Sequence, residues 1–329
     1  MKHLILLLLL SNQLIGQPQI KNLVFEGAGV RGIAYSGAIS VLEEKDMIKD
    51  IEKVGGTSAG AITALLISIG YESSEIRQII SETKLHKFND GKYLFVGGIY
   101  RLNKRFGWYR AKRFDKWLSK IIENKTKNPN ITFKELSEKN FKDLYVTATC
   151  LNKQKEIVFG KDKYPKMMVK DAVKISMSIP LYFEAVFIDS IGTIHPKPKQ
   201  LNKLDVVVDG GITANYPIFL FDTIVDGKRI ESPHSLGFKI DREEQIKEDN
   251  LNGNIAPVPI HKFNDYVSAL YNYVIESLNR VQLTEKDNER TIAISSKGIS
   301  PKIKRLSKEQ KQTLFQSGRD YSRNYLDKF

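Results

Sequence analysis

The sequence predicts an α/β fold: a mainly parallel sheet covered by helices on both faces. Three observations point there. Short apolar runs alternate with helix-period segments, the strand–helix–strand order that a parallel sheet requires. With 41% hydrophobic and 27% charged residues in 329, the chain can bury a large core. No internal repeat and no linker rich in Gly, Pro or Ser divides residues 17–329, so they read as one domain.

The leader MKHLILLLLLSNQLIG stands apart. Lys2, seven apolar residues from Leu4 to Leu10 and the small residue Gly16 match a secretory signal peptide, 1–16, cleaved near Gly16–Gln17. The run is too short for a bilayer span, which takes about 20 residues, although a signal anchor stays open. Export to a periplasm or the medium is the expectation. NLVFE (22–26) then reads as a strand, and Ile33 to about Lys45 as a helix. IEKVGG is a second strand, AGAITALLISIG a second helix stopping at Gly70, and SSEIRQIISETK a third with a serine cap.

Residues 85–108 show no clear period. Helical patterns return near 110–124 and 132–139, followed by two strands, DLYVTATCLN and KEIVFG, across the turn NKQK. A helix near 167–177 is stopped by Pro180, and LDVVVDGG reads as a buried strand ending in a turn. SLGFKI and RTIAIS are later strands; an amphipathic helix from about Phe263 to Leu283 and a final helix from about Ser307 complete the chain.

Net charge is +13, or +12 once Lys2 leaves with the leader. Such a surface favours anionic partners, nucleic acid or acidic lipid headgroups. No nucleic-acid motif accompanies the charge, so nucleic acid is the first partner class to set aside. The stretch 99–117, IYRLNKRFGWYRAKRFDKW, interleaves basic and aromatic residues and suits an anionic membrane surface. The membrane role is expected of a loop from Arg101 to Arg110; Phe114, Trp117 and Leu118 have helical spacing and read as core. Cys150, the lone cysteine, cannot form an internal disulfide and reads as a small buried hydrophobe.

Chemistry concentrates in three glycine-bracketed segments. Gly27-Ala28-Gly29-Val30-Arg31-Gly32 follows a strand and opens a helix, the context of a dinucleotide-binding turn. That reading wants an acidic residue at the end of the second strand, but Glu52 lies inside it. The same N–H groups can instead hold a developing oxyanion. Arg31 either meets an anionic headgroup or braces the loop. In Gly56-Thr57-Ser58-Ala59-Gly60 the serine sits between a strand and a helix. That is the setting of a nucleophile elbow; a simple helix cap is the alternative, but a cap does not need glycines at both two-residue offsets.

A serine hydroxyl needs a base. His86, His195, His234 and His261 sit in unmarked polar contexts, so a triad has weak support. Asp209-Gly210-Gly211 ends an apolar strand. If that strand is parallel and adjacent to the one before Ser58, the two side chains share a crevice. An ordinary Asp-Gly-Gly turn is the alternative.

Together the segments resemble the patatin-like phospholipase family from about Asn22 to Pro217, with residues 218–329 similar to its closing elements. The resemblance implies a three-layer α/β/α sandwich and a lipid acyl hydrolase with a Ser–Asp dyad, without histidine, metal or cofactor. Ser58 is then the nucleophile and Asp209 the proton acceptor. The N–H groups of residues 28–30 form the oxyanion hole, and phospholipid or another acyl-ester lipid is the substrate. Many relatives have three consecutive glycines where this chain has Gly27, Ala28, Gly29, so Ala28 must keep a negative φ. An acyltransferase on the same scaffold and a non-catalytic membrane-binding module are the competing readings. Headgroup, acyl position and oligomeric state are not encoded legibly.

Overall fold

The computed structural model describes residues 19–83, 85–91, 96–196, 200–251, 253–280, 283–301 and 305–328. The leader at 1–16 lies outside the described residues. β1 (Asn22–Phe25) leads through a 3-10 turn into α1 (Ile33–Glu44), then β2 (Lys53–Gly56) and α2 (Ala59–Ser68). Next come α3 (Ser73–Glu82), α4 (Val96–Arg105), β3 (Gly107–Tyr109), α5 (Lys112–Thr126) and α6 (Phe133–Glu138). β4 (Asp143–Cys150) and β5 (Lys155–Phe159) form a hairpin, followed by α7 (Val169–Ser176), β6 (Leu181–Phe183) and β7 (Val186–Ile188). β8 (Asp205–Asp209), the short α8 (Gly211–Ala214), β9 (Thr223–Val225), β10 (Lys228–Ile230) and β11 (Ser235–Asp241) come after. The chain closes with α9 (Glu243–Leu251), α10 (Phe263–Arg280), α11 (Glu285–Glu289), β12 (Thr291–Ser295) and α12 (Lys308–Leu326).

The central sheet runs β12-β11-β1-β2-β4-β8-β7, with β5 also on β4. β12, β11, β1, β2 and β4 are all parallel; β5 and β8 are antiparallel to β4, and β7 to β8. Side-chain alternation along β1 divides the core. Leu23 and Phe25 join the large cluster beneath the helices, whereas Val24 joins Tyr216 and Ile218 in a small cluster on the other face. The second face is therefore thinly covered, by the segment after α8 and, beyond α8, by α10.

Two local expectations change. Residues 85–108 contain α4 and the start of β3 rather than a period-free loop. α4 escaped apolar periodicity because its anchor is polar. Arg101 is buried and its Nε donates to the Trp108 carbonyl at 2.7 Å, while Ile99 and Tyr100 face solvent. The third helix is capped by Glu72 rather than a serine. Glu72 pairs reciprocally with Glu75, whose carboxylate accepts the Glu72 N–H at 2.9 Å.

Candidate active site

β2 ends at Gly56 and α2 begins at Ala59, so Thr57 and Ser58 make the whole turn between them. Ser58 holds φ 53 and ψ −117, a conformation that costs a side-chain-bearing residue roughly 1–3 kcal/mol. The turn is this sharp because α2 presses onto the end of β1. A Cβ at Gly60 would lie 2.2 Å from the Phe25 carbonyl oxygen, so only glycine fits. Ser58 occupies the N-cap position, yet its side chain makes no capping bond. Its N–H donates to Ser176 Oγ at 2.8 Å, and its hydroxyl lies 3.3 Å from Met177 Sδ. Thioether sulfur is a weak acceptor, so the hydroxyl stays available.

β8 brings Asp209 to the same place by a route that differs from the expected one. It is antiparallel to β4 and is not the neighbour of β2. Val146 pairs with Gly56 on one side and Phe159 on the other; Ala148 pairs with Asp209 and Ile157. β5 thus fills one edge of β4, while β2 and β8 share the opposite edge and run head-on towards each other. Both stop near Thr147. Thr57 Oγ1 pins the junction with 2.5 Å hydrogen bonds to Thr147 Oγ1 and the Ala214 carbonyl, tying the elbow to the helix behind Asp209.

Asp209 is buried, and its Oδ1 accepts the Gly211 N–H at 2.7 Å. Burial pushes its pKa up to about 7, opposed by hydrogen bonds from the Gly211 N–H and the Ser58 hydroxyl. Gly210 stands at the N-cap of α8 and Gly211 opens it, which turns the chain away directly behind the carboxylate.

The loop at 27–32 wraps the other side. Ala28 has φ −127, within reach of any L-residue, and Gly29 has φ +55. A Cβ on Gly29 would also meet the Pro301 carbonyl oxygen at 2.1 Å. The N–H of Gly27 donates to Asn215 O, that of Val30 to Pro301 O and that of Arg31 to Ala28 O. Among the described hydrogen bonds, none is donated by the N–H of Ala28 or Gly29. Arg31 Nε donates to the Ala28 carbonyl at 3.2 Å, so this side chain braces the loop. Gly32 leads directly into α1.

Two supporting residues had no distinctive sequence signal. Asn215 Nδ2 donates to Glu26 Oε1 at 3.1 Å and to the Gly27 carbonyl at 3.3 Å. Glu26, which reads simply as the end of a strand, is buried and accepts the Ile240 N–H at 2.9 Å. Burial, with Asp241 and Glu276 nearby, raises its pKa well above the carboxylate range.

Ser58, Asp209, Ala28 and Gly29 line one cleft of about 880 Å³ whose walls include Ile62, Phe88, Trp108, Phe114, Trp117 and Tyr182. Its volume and apolar walls suit an acyl chain. His195, His234 and His261 do not line it; His195 pairs with Asp189 and His234 with the Gln19 carbonyl. Among the described residues, no group of three or more His, Cys, Asp or Glu is placed to hold a metal ion. The basic–aromatic stretch is redistributed. Arg101 to Arg110 is helix and strand rather than loop, Arg101 is buried, and Trp108 and Tyr109 form cleft wall.

The family model for patatin-like phospholipases matches residues 23–222. The chain belongs to the patatin-like phospholipase family. An uncharacterized protein of Acanthamoeba polyphaga mimivirus is 29% identical over 306 residues, covering 92% of this chain and 93% of its own length. YqhO of Bacillus subtilis, also uncharacterized, is 36% identical over 60% of this chain and 65% of itself. A probable lipid hydrolase of Invertebrate iridescent virus 6 is 32% identical over 60% of this chain and 62% of itself. The fold is similar to that of VipD from Legionella pneumophila, with TM-score 0.57 and 18% identity over 94% of this chain and 67% of VipD. It also resembles ExoU of Pseudomonas aeruginosa in its SpcU complex, with TM-score 0.52 and 17% identity over 95% of this chain and 52% of the other. Membership of the patatin-like phospholipase family supports lipid hydrolysis as the activity.

Proposed function

We propose that the protein is a serine esterase of phospholipase A or lysophospholipase type, with Ser58 as nucleophile and Asp209 as its base. The observation that carries this reading is the head-on meeting of β2 and β8, which sets an uncapped serine hydroxyl beside a buried carboxylate. Ionised Asp209 takes the Ser58 proton as Oγ attacks the ester carbonyl. The carbonyl oxygen becomes an oxyanion held by the N–H groups of Ala28 and Gly29, the two donors of the loop without a described partner. Collapse breaks the C–O bond, and the leaving alkoxide receives the proton from Asp209. Water then attacks the acyl-serine with Asp209 again as base, releasing a fatty acid and restoring Ser58.

The apolar cleft takes the acyl chain and leaves the headgroup outside, at a surface whose net charge of +13 favours anionic lipid. Incubation with mixed phospholipids, followed by mass spectrometry of the products, tests the activity. Wild type should release fatty acid, and Ser58→Ala and Asp209→Asn should each lose at least about a hundredfold in turnover while keeping the wild-type circular dichroism spectrum. Full turnover in Asp209→Asn would remove the carboxylate from the mechanism.

A further inference from the structure

α10 is inside out. Phe263, Tyr266, Val267, Leu270, Tyr273, Val274 and Leu278 recur at helical spacing, and every one is between 46% and 77% exposed. At about 100° per residue they form a single stripe about 140° wide. The opposite side of the helix carries Asn272, Glu276 and Asn279, with Ile275 among them, and borders the cleft. Asn279 is buried and its side-chain oxygen accepts the Asn215 N–H at 2.6 Å; Arg280 pairs with Asp249; Glu276 borders the cleft. A helix of a globular domain normally does the reverse. The stripe extends upstream through Val258 and Ile260, 38% and 53% exposed.

We infer that the outer face of α10 is the surface by which this protein lies on a lipid bilayer, its apolar stripe set among the acyl chains beside the cleft mouth. This rests on the lipid-hydrolase reading, and three observations select the occupant. The stripe is continuous with the cleft, because Val267 belongs to both, and Ile275 on the same helix also lines the cleft. A second wall of that cleft also carries an outward apolar residue, Leu181, 67% exposed. Charge separates a bilayer from a second copy of the chain. A copy brings the same net +13, which opposes self-association, whereas an anionic headgroup layer attracts it. Lys262, exposed at the start of the helix, is placed to meet that layer. Among the described residues no helix is long and apolar enough to cross a membrane, so the contact is one of lying on the surface.

The test compares Ser58→Ala protein with and without Leu270→Asp plus Tyr273→Asp in co-sedimentation with phosphatidylcholine–phosphatidylglycerol vesicles. Neither Leu270 nor Tyr273 lines the cleft. Vesicle binding should fall about tenfold or more, since two large apolar side chains lose their buried surface. On the Ser58 background, hydrolysis of vesicle lipid should fall with binding, while turnover of a small soluble ester and the melting temperature stay at wild-type values. Should the aspartates perturb the helix, Leu270→Ser with Tyr273→Ser gives the same readout with a smaller loss. Unchanged vesicle binding in both pairs overturns the inference. So does a wild-type dimer that the substitutions split into monomers without altering vesicle binding, which would assign the stripe to a second copy. If wild type hydrolyses no ester yet the substitutions abolish vesicle binding, the catalytic reading fails and the docking surface stands.

Discussion

In the proposed mechanism, burial sets the pH at which Asp209 acts as the base. Its pKa is pushed up to about 7, so turnover should rise with pH through that value and level off above it. A pH–rate profile with a soluble ester checks this; a profile flat from pH 5 to 9 would count against Asp209 as the base. Stability should move the other way. The folded carboxyl keeps its proton where the unfolded one has lost it, so stability is fully present below the ordinary value of 3.8 and falls as pH rises through about 7. That difference corresponds to on the order of 4 kcal/mol. Asp209→Asn should therefore unfold at higher denaturant than wild type at pH 8, while the two converge near pH 4. Ser58 adds a second such opposition. Glycine tolerates φ 53 freely, so Ser58→Gly should stabilise the fold by about 1 kcal/mol while ending turnover, as urea unfolding and an esterase assay would show.

The junction of β2 and β8 depends on one hydroxyl. Thr57 Oγ1 joins Thr147 and the Ala214 carbonyl, both buried, at the point where neither strand can extend further along β4. Thr57→Val keeps the shape but leaves those groups short of a partner, a loss of about 1–3 kcal/mol. It should also let the ends of the two strands drift apart. Turnover should then drop by more than tenfold, because an error of an ångström between nucleophile and base is enough for that. Wild-type turnover in a destabilised Thr57→Val would mean that the dyad is held by other contacts.

At the scale of the molecule, one sheet runs through both the matched family region and the rest of the chain. β11 lies between β1 and β12 and is buried along its whole length, so the sheet continues beyond residue 222. Asp222, at the end of that region, accepts both Arg290 Nη1 and Nη2 at 2.7 Å, and Arg290 also pairs with Asp287. Both carboxylates are almost inaccessible. Arg290→Met should cost about 3–5 kcal/mol, since two buried charges would share Arg229 alone among these pairs. Thermal unfolding should show one transition moved down as a whole; a separate early transition would mean that the C-terminal elements unfold on their own.

Three features were legible in the sequence because each is a local demand on the chain. A turn that forces φ positive or brings backbones into contact needs glycine, so Gly29 and Gly60 mark the loop after β1 and the β2–α2 turn from sequence alone. Apolar period likewise marks α1, α2 and α12. The pairing of β8 was not legible. Nothing within LDVVVDGG states that it runs antiparallel to β4, because direction follows from a partner some sixty residues away. α4 was hidden because a buried arginine, Arg101, replaces the apolar stripe that periodicity detects. α10 shows the limit most plainly. Its sequence establishes an amphipathic helix, but periodicity is symmetric with respect to what each face meets, and only the packing of Asn279 and Arg280 against the body of the protein turned the apolar side outward.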